Sequence, residues 1–339
     1  MRSIEYSWFA LSNAQGFGAK SIHYIFSNLQ QRHMSMAELF ELNLSQLANI
    51  LPEIGRGRFH KANLSTLNHL DDDKLFNSFE KLKSEKVHLI TMEDERYPKS
   101  VLENMQDNAP PILYCRGYLP LLNTKGVSIV GARDVDDFVV MLTKSIASKL
   151  AEHGFNVTSG YAKGVDTSAH LGALEAHGTT TMILSFGVNH ISIKREFKDL
   201  DWERNSLFVT QFAPYEKFSG QNAMTRNKLV CAMSKAIVVM ASGPEKDSEG
   251  KMSGTFDAAK AALKMNIPVF VLSPDVLKPT PQGNIDLIKL GAIPFTNGND
   301  IVKFLEENPQ QDIVSNSNNG LNTKTNRIPP THPTQTTLF

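Results

Sequence analysis

Between Val87 and Leu272 the chain alternates short β-rich runs with stretches of helical periodicity, and this alternation confines it to an α/β architecture. Strands are predicted at Val87 to Thr91, Val127 to Val130, Asn156 to Thr158, Thr180 to Ser185, Leu207 to Thr210, Ala236 to Ala241 and Pro268 to Leu272. Helical patterns occupy Phe138 to His153, Asp166 to His177, Asn222 to Ser234 and Gly254 to Met265. Several strands, Ala236-Ile237-Val238-Val239 among them, are apolar throughout instead of alternating. A strand carries that pattern when helices cover both its faces, so a doubly wound, mostly parallel sheet is expected over residues 85–305.

Residues 1–84 are expected to form a small helical domain, because apolar positions recur at helical spacing, as in Ile22, Ile25, Phe26 and Leu29. Gly16-Phe17-Gly18 interrupts the first two helical segments. Such a turn fits a helix-hairpin-helix, whose amides can meet a DNA phosphate, and equally a short connection between packed helices. From 306 to 339 the chain turns to Asn, Gln, Thr, Ser and Pro, a composition that cannot offset the entropy of ordering, so a disordered tail is expected. Its last five residues, Gln335-Thr336-Thr337-Leu338-Phe339, end on an apolar pair and have the form of a tethered peptide anchor.

Lys plus Arg and Asp plus Glu number 35 each, so any attraction for nucleic acid must come from a local patch, not from net charge. Apolar residues make up 41% of the chain, enough for a sizeable core, yet no run reaches the roughly 20 apolar residues a membrane helix needs. The start lacks a signal-peptide layout, and a cytoplasmic location is expected. Cys115 and Cys231 are far apart, with no Cys or His at metal-ligand spacing. They read as buried reduced thiols, and neither a metal nor a cofactor is expected.

In open α/β sheets, ligands bind outside the carboxyl ends of the strands, and three loops lie there. Gly131-Ala132-Arg133 follows a strand directly, with a glycine for close backbone approach and a planar guanidinium for a phosphate. It is not the G-x-G-x-x-G fingerprint of a dinucleotide site. Ser159-Gly160-Tyr161-Ala162-Lys163-Gly164-Val165-Asp166 is the densest anion-cradle signal: two glycines, a lysine, and an Asp suited to cap the next helix. A tight turn explains all of it except Lys163. Ser253-Gly254-Thr255 opens a later helix with small polar residues, behind a polar stretch from Ser242 to Lys251 read as a mobile surface loop. Arg226, Asn227 and Lys228 sit beside it on an otherwise apolar helix, and the two cations point to different sides.

In their order and spacing these loops resemble the DprA/Smf (DNA-processing) family. The matching residues are Tyr97-Pro98, Pro110-Pro111, Gly117, Val130-Gly131-Ala132-Arg133, Ser159-Gly160-x-Ala162-Lys163-Gly164-x-Asp166 with Ala169-His170, Arg226-Asn227, Ser253-Gly254-Thr255, Gly283-Asn284 and Gly291-Ala292. The resemblance implies a Rossmann-like domain that binds single-stranded DNA, commonly as a homodimer, and helps load a RecA-type recombinase during DNA uptake or repair. By motif, Arg133, Lys163 and Arg226 would contact phosphates, with Gly131, Ser159, Gly160, Ser253 and Gly254 shaping the pocket. Lys228 stands where the family has a second arginine and lacks the bidentate fork. The chain departs from the family at Ser242, at Thr210-Gln211, and at Asn189-His190 after Gly187, and its loop from 242 to 251 is long. It reads as a divergent member without the C-terminal winged helix that many members carry.

Other readings compete. The LOG-type nucleotide phosphoribohydrolases share this sheet, but Ala258 occupies the position of their catalytic glutamate, and Asp257 is one position off, on another side of the helix. A nucleotide-binding sensor would use the same pocket. Asp166 and His170 are four residues apart, compatible with an acid/base pair or with a cap and a packed histidine. Tyr161 is either a base-stacking platform or a packing residue. The tail resembles the Gln-x-x-Leu-Phe peptide by which bacterial proteins dock on the DNA polymerase sliding clamp, with Gln335, Leu338 and Phe339 as the anchors.

Overall fold

The computed structural model describes residues 3–67, 70, 73–124 and 126–308. Its strands are β1 (His88–Thr91), β2 (Ile112–Gly117), β3 (Gly126–Val130), β4 (Asn156–Ser159), β5 (Thr180–Ile183), β6 (Ser206–Thr210), β7 (Ala236–Val239), β8 (Val269–Leu272) and β9 (Ile293–Phe295). The helices before β1 are α1 (Ile4–Ser12), α2 (Ala19–Gln30), α3 (Met36–Leu39), α4 (Leu44–Ile50), α5 (Leu64–Leu67) and α6 (Asp73–Ser84). Those between and after the strands are α7 (Lys99–Met105), α8 (Asp137–Glu152), α9 (Val165–Glu175), α10 (Trp202–Asn205), α11 (Gly220–Ala232), α12 (Gly254–Lys264), α13 (Gln282–Lys289) and α14 (Gly298–Glu307).

The nine strands form one sheet in the order β1-β2-β6-β5-β4-β3-β7-β8-β9. From β6 to β9 all neighbours are parallel, while β1 with β2 and β2 with β6 are antiparallel. Every residue of β3, β4, β5, β6, β7 and β8 is buried, as a sheet covered on both faces demands. Buried polar side chains inside it pair across strands: Asn156 Nδ2 donates to Thr181 Oγ1 at 2.9 Å, and Ser159 Oγ donates to the Ile129 carbonyl at 2.6 Å. Such pairing is the condition for burying polar groups cheaply.

Two strands were not foreseen. β2 follows Pro110-Pro111, a turn signal, and ends in the exposed Arg116 and Gly117, so its apolar run is short. β9 contains Pro294, which a sheet tolerates only at an edge, and β9 is an edge strand. The predicted ends at Ser185 and Ala241 run two residues past the strand ends at Ile183 and Val239.

The helices before β1 bury Trp8, Ile25, Leu29, Met36 and Leu39 in a cluster that also takes in Leu89 of β1 and Ile112 and Tyr114 of β2. The Gly16-Phe17-Gly18 turn serves packing: a Cβ at Gly16 would overlap the Lys61 carbonyl, Phe17 is buried, and Ser21 Oγ accepts from the Gly18 amide at 3.0 Å. Cys115 and Cys231 are buried and free, and burial raises both thiols, Cys231 to about 12. No helix among the described residues is long and apolar enough to cross a membrane.

Candidate functional site

A cavity of about 620 Å³ opens at the carboxyl ends of β3, β4 and β7. The strand order reverses there, because the chain leaves β3 toward β4 on one side and returns as β7 on the other. This crevice is where open α/β sheets bind ligands. Gly131, Ala132 and Arg133 line it after β3, Gly160, Ala162 and Asp166 after β4, and Ser253, Gly254 and Thr255 at the start of α12. Gly220 of α11 also reaches it, so the first turns of α9, α11 and α12 meet at one cavity. Helix N-termini carry partial positive charge and unpaired amides, an arrangement that favours an anion.

Arg226 of α11 also lines the cavity, although only 6% of its surface is exposed. Its Nη1 donates to the Ile183 carbonyl at 2.9 Å and stands 3.9 Å from Asp166 Oδ2. Its Nε has no partner among the described residues. Burial lowers the guanidinium from its ordinary range, and Asp166 opposes that shift. Gly160 makes the seat, since a Cβ there would overlap Arg226 Nη1 and Asp166 Oδ2. Asn227 Nδ2 donates to the Gly254 carbonyl at 3.0 Å and ties α11 to the start of α12.

His170 supports this seat from below. Its Nε2 donates to the Gly160 carbonyl at 2.5 Å, and its Nδ1 meets the Thr180 hydroxyl at 2.6 Å. Burial pulls the imidazole down to about 4, so it is neutral at neutral pH. Both ring nitrogens are engaged away from Asp166, and the arrangement is that of a packed histidine. Asp166 is not the helix cap that its position suggested. Gly164, with φ +74°, takes that place, because a left-handed turn is needed to bring the chain past the Arg133 carbonyl. Asp166 sits in the first turn of α9 and accepts from the Ala162 amide at 3.3 Å.

At the mouth, Arg133 is exposed, with its guanidinium 5.8 Å from the centre of the Phe218 ring. Phe218 is 55% exposed. Lys251 and Met252 line the same cavity from the segment before α12. Sequence reasoning missed all three of these residues. Phe218 was legible only as one of three aromatics, with Phe212 and Tyr215, in the loop beyond the carboxyl end of β6.

The family model for DNA recombination-mediator protein A matches residues 88–306, a span that contains every lining residue named above. The chain belongs to that family. It is 28% identical over 314 residues to the protein Smf of Synechocystis sp., a stretch covering 90% of this chain and 73% of that protein. The DNA processing protein A of Streptococcus pneumoniae shares the fold, with a TM-score of 0.70 at 23% identity over 89% of this chain and 98% of that one. The DNA processing protein A of Helicobacter pylori, whose structure addresses its single-stranded DNA binding mode, aligns at 27% identity with a TM-score of 0.54, over 65% of this chain and 96% of that one.

Several residues singled out from sequence stand outside the cavity lining. Ser159 is buried and donates to the Ile129 carbonyl at 2.6 Å, bracing β4 against β3. Lys163 points outward with 70% of its side chain exposed, and its Nζ pairs with Asp134 at 2.5 Å. Lys228 is exposed on α11, because two positions along a helix are turned about 200° from each other and Arg226 already faces inward. Tyr161 is a packing residue: it stacks on Phe197 at 6.2 Å, meets Phe208 edge-on, and donates its hydroxyl to the Ser192 carbonyl. On α12 the cavity is lined by Ala258 and not by Asp257.

The stretch from 242 to 252 is also more organised than its polar composition suggested. Lys246 and Met252 form an antiparallel bridge, and Asp247 Oδ1 accepts from the Glu249 and Lys251 amides at 3.0 and 2.9 Å. The last five residues of the chain, with Gln335, Leu338 and Phe339, lie outside the described residues.

Proposed function

We propose that this chain captures single-stranded DNA at the carboxyl edge of its sheet and acts as a recombination accessory protein, not as a catalyst. The observation that carries the reading is the cavity at the strand-order reversal, with three helix N-termini and a buried guanidinium whose Nε is unpartnered. It belongs to a chain of the DNA recombination-mediator protein A family. Phosphate oxygens would meet Arg133 at the mouth, Arg226 behind it, and the amides of Gly131, Gly254 and Thr255. Ser159, Gly160, Gly164 and Asn227 shape this seat, and Lys163 and Lys228, outside it, add only long-range attraction. A hydrolase of the LOG type would need a carboxylate where α12 presents Ala258, and Asp166 is already committed to Arg226.

The same reading extends to partners. A RecA-type recombinase receiving the strand, and a homodimer offering two such sites, are proposed from the family resemblance. The C-terminal Gln335-Thr336-Thr337-Leu338-Phe339 is proposed as a tethered sliding-clamp peptide. Its deletion should abolish clamp pull-down and leave DNA affinity intact. The central experiment is displacement of a fluorescent oligo-dT by unlabelled single strand, duplex and nucleoside monophosphate. Single strand should compete at the lowest concentration. Equal competition by duplex, or full displacement by the monophosphate, would overturn the reading.

A further inference from the structure

The segment from Ser242 to Met252 projects from the end of β7 to the start of α12 with both feet fastened. At the first foot, Asn284 Oδ1 accepts from the Ser242 amide at 2.8 Å, and its Nδ2 donates to the Met240 and Leu272 carbonyls at 3.2 Å each. Gly283 permits this approach, because a Cβ there would overlap the Gly243 carbonyl. At the second foot, Glu245 Oε1 pairs with Lys260 Nζ of α12 at 2.5 Å, and the Ser253 amide donates to the Glu245 carbonyl at 3.2 Å. Between the feet, the Lys246 to Met252 bridge and the Asp247 turn fix the tip. The segment is a built flap, and every residue from 246 to 252 is exposed.

Met252, 46% exposed, and Phe218, 55% exposed, line one cavity from different elements. Beside each stands a cation, Lys251 on the flap and Arg133 over the Phe218 ring. A polarizable thioether and an aromatic face are surfaces on which a nucleobase stacks, and cations next to them suit the phosphates joined to that base. A mononucleotide would use one such pair; a strand uses both, because its phosphates recur on either side of each base.

Resting on the strand-capture reading above, we propose that the 242–252 flap is the outer jaw of the strand site. One nucleobase lies between Phe218 and Met252, and the flanking phosphates lie against Arg133 and Lys251. The jaw reads bases by stacking and is indifferent to which base it holds.

The test compares oligo-dT with an abasic strand of equal length, which keeps the phosphates and removes the bases. Phe218→Ala should weaken oligo-dT binding by about fivefold or more, the lower end for one stacked base, and leave abasic binding unchanged. Met252→Ala should act in the same direction with a smaller loss. Lys251→Ala should weaken both strands and lower the salt slope by about 0.7, the value for one phosphate contact on a single strand. Equal losses on both strands for Phe218→Ala and Met252→Ala, or no loss on either, would overturn the jaw while strand capture stands. A wild type that binds neither strand would overturn both together. Thermal melting of each variant reports whether the fold is retained, and all three positions are exposed, so melting temperatures should stay within a few degrees of wild type.

Discussion

Adding a single methyl group at Gly160 should disable this protein more than removing many larger side chains. The new Cβ would overlap Arg226 Nη1 and Asp166 Oδ2, and the backbone there is held from below by His170. The guanidinium must withdraw, which forfeits its 2.9 Å bond to the Ile183 carbonyl and its approach to Asp166. Asp166, itself only 7% exposed, then keeps a buried charge without its partner. Breaking a buried pair in this way costs about 3 to 5 kcal/mol. For a chain of this size the urea midpoint should fall by about 1 M or more, taking a slope near 3 kcal/mol per M. Gly220→Ala is the matched comparison, because Gly220 lines the same cavity in the first turn of α11 with nothing within 4 Å of a Cβ. It should leave the midpoint unchanged or raise it by the equivalent of up to about 1 kcal/mol. Equal midpoints for Gly160→Ala and wild type would refute the claim that Gly160 exists to seat Arg226.

His170 is neutral in the folded protein because burial lowers its pKa from 6.5 to about 4. Its contribution is therefore fully present above pH 6.5 and is lost as pH falls toward 4, by about 3 kcal/mol in total. Denaturation midpoints measured across that window should decline less steeply for His170→Gln than for wild type; parallel declines would contradict this. Asn284→Ala removes three buried hydrogen bonds and frees the first foot of the flap, so stability should drop by roughly 2 to 4 kcal/mol and hydrogen exchange at 243–252 should speed up. Unchanged exchange there would show that the foot does not hold the flap. Ser253→Ala removes the hydroxyl that accepts from the Phe256 amide at 3.3 Å and should cost about 1 kcal/mol in a denaturation series.

The parallel heart of the fold was legible because β3 to β8 are buried on both faces and so read as continuous apolar or small-residue runs. The antiparallel edge was less so, since the apolar part of β2 stops at Cys115 and two prolines, which locally signal a turn, precede it. In the site, Gly131, Arg133, Gly160, Arg226 and Ser253-Gly254-Thr255 were brought together as their loops predicted. Lys163 was not, because a residue pattern carries no information on which way a flexible side chain turns, and Asp134 lies within its reach. Tyr161 turned away for a similar reason: its packing partners Phe197 and Phe208 come from elsewhere in the sequence. The ordering of 242–252 was hidden because it rests on Asn284 and Lys260, which act only through the tertiary fold.

The measurement closest to the central claim is the affinity for oligo-dT across a salt series for wild type, Arg133→Glu and Lys163→Glu. Wild type should bind single strand in preference to duplex and weaken steadily with salt. Arg133→Glu, at the cavity mouth, should lose about tenfold or more and show a salt slope smaller by about 0.7 or more. Lys163→Glu, outside the lining, should stay within about threefold of wild type, the scale of a long-range charge effect. A wild type that ignores single-stranded DNA, or an Arg133→Glu protein that binds it as tightly as wild type, would contradict the account.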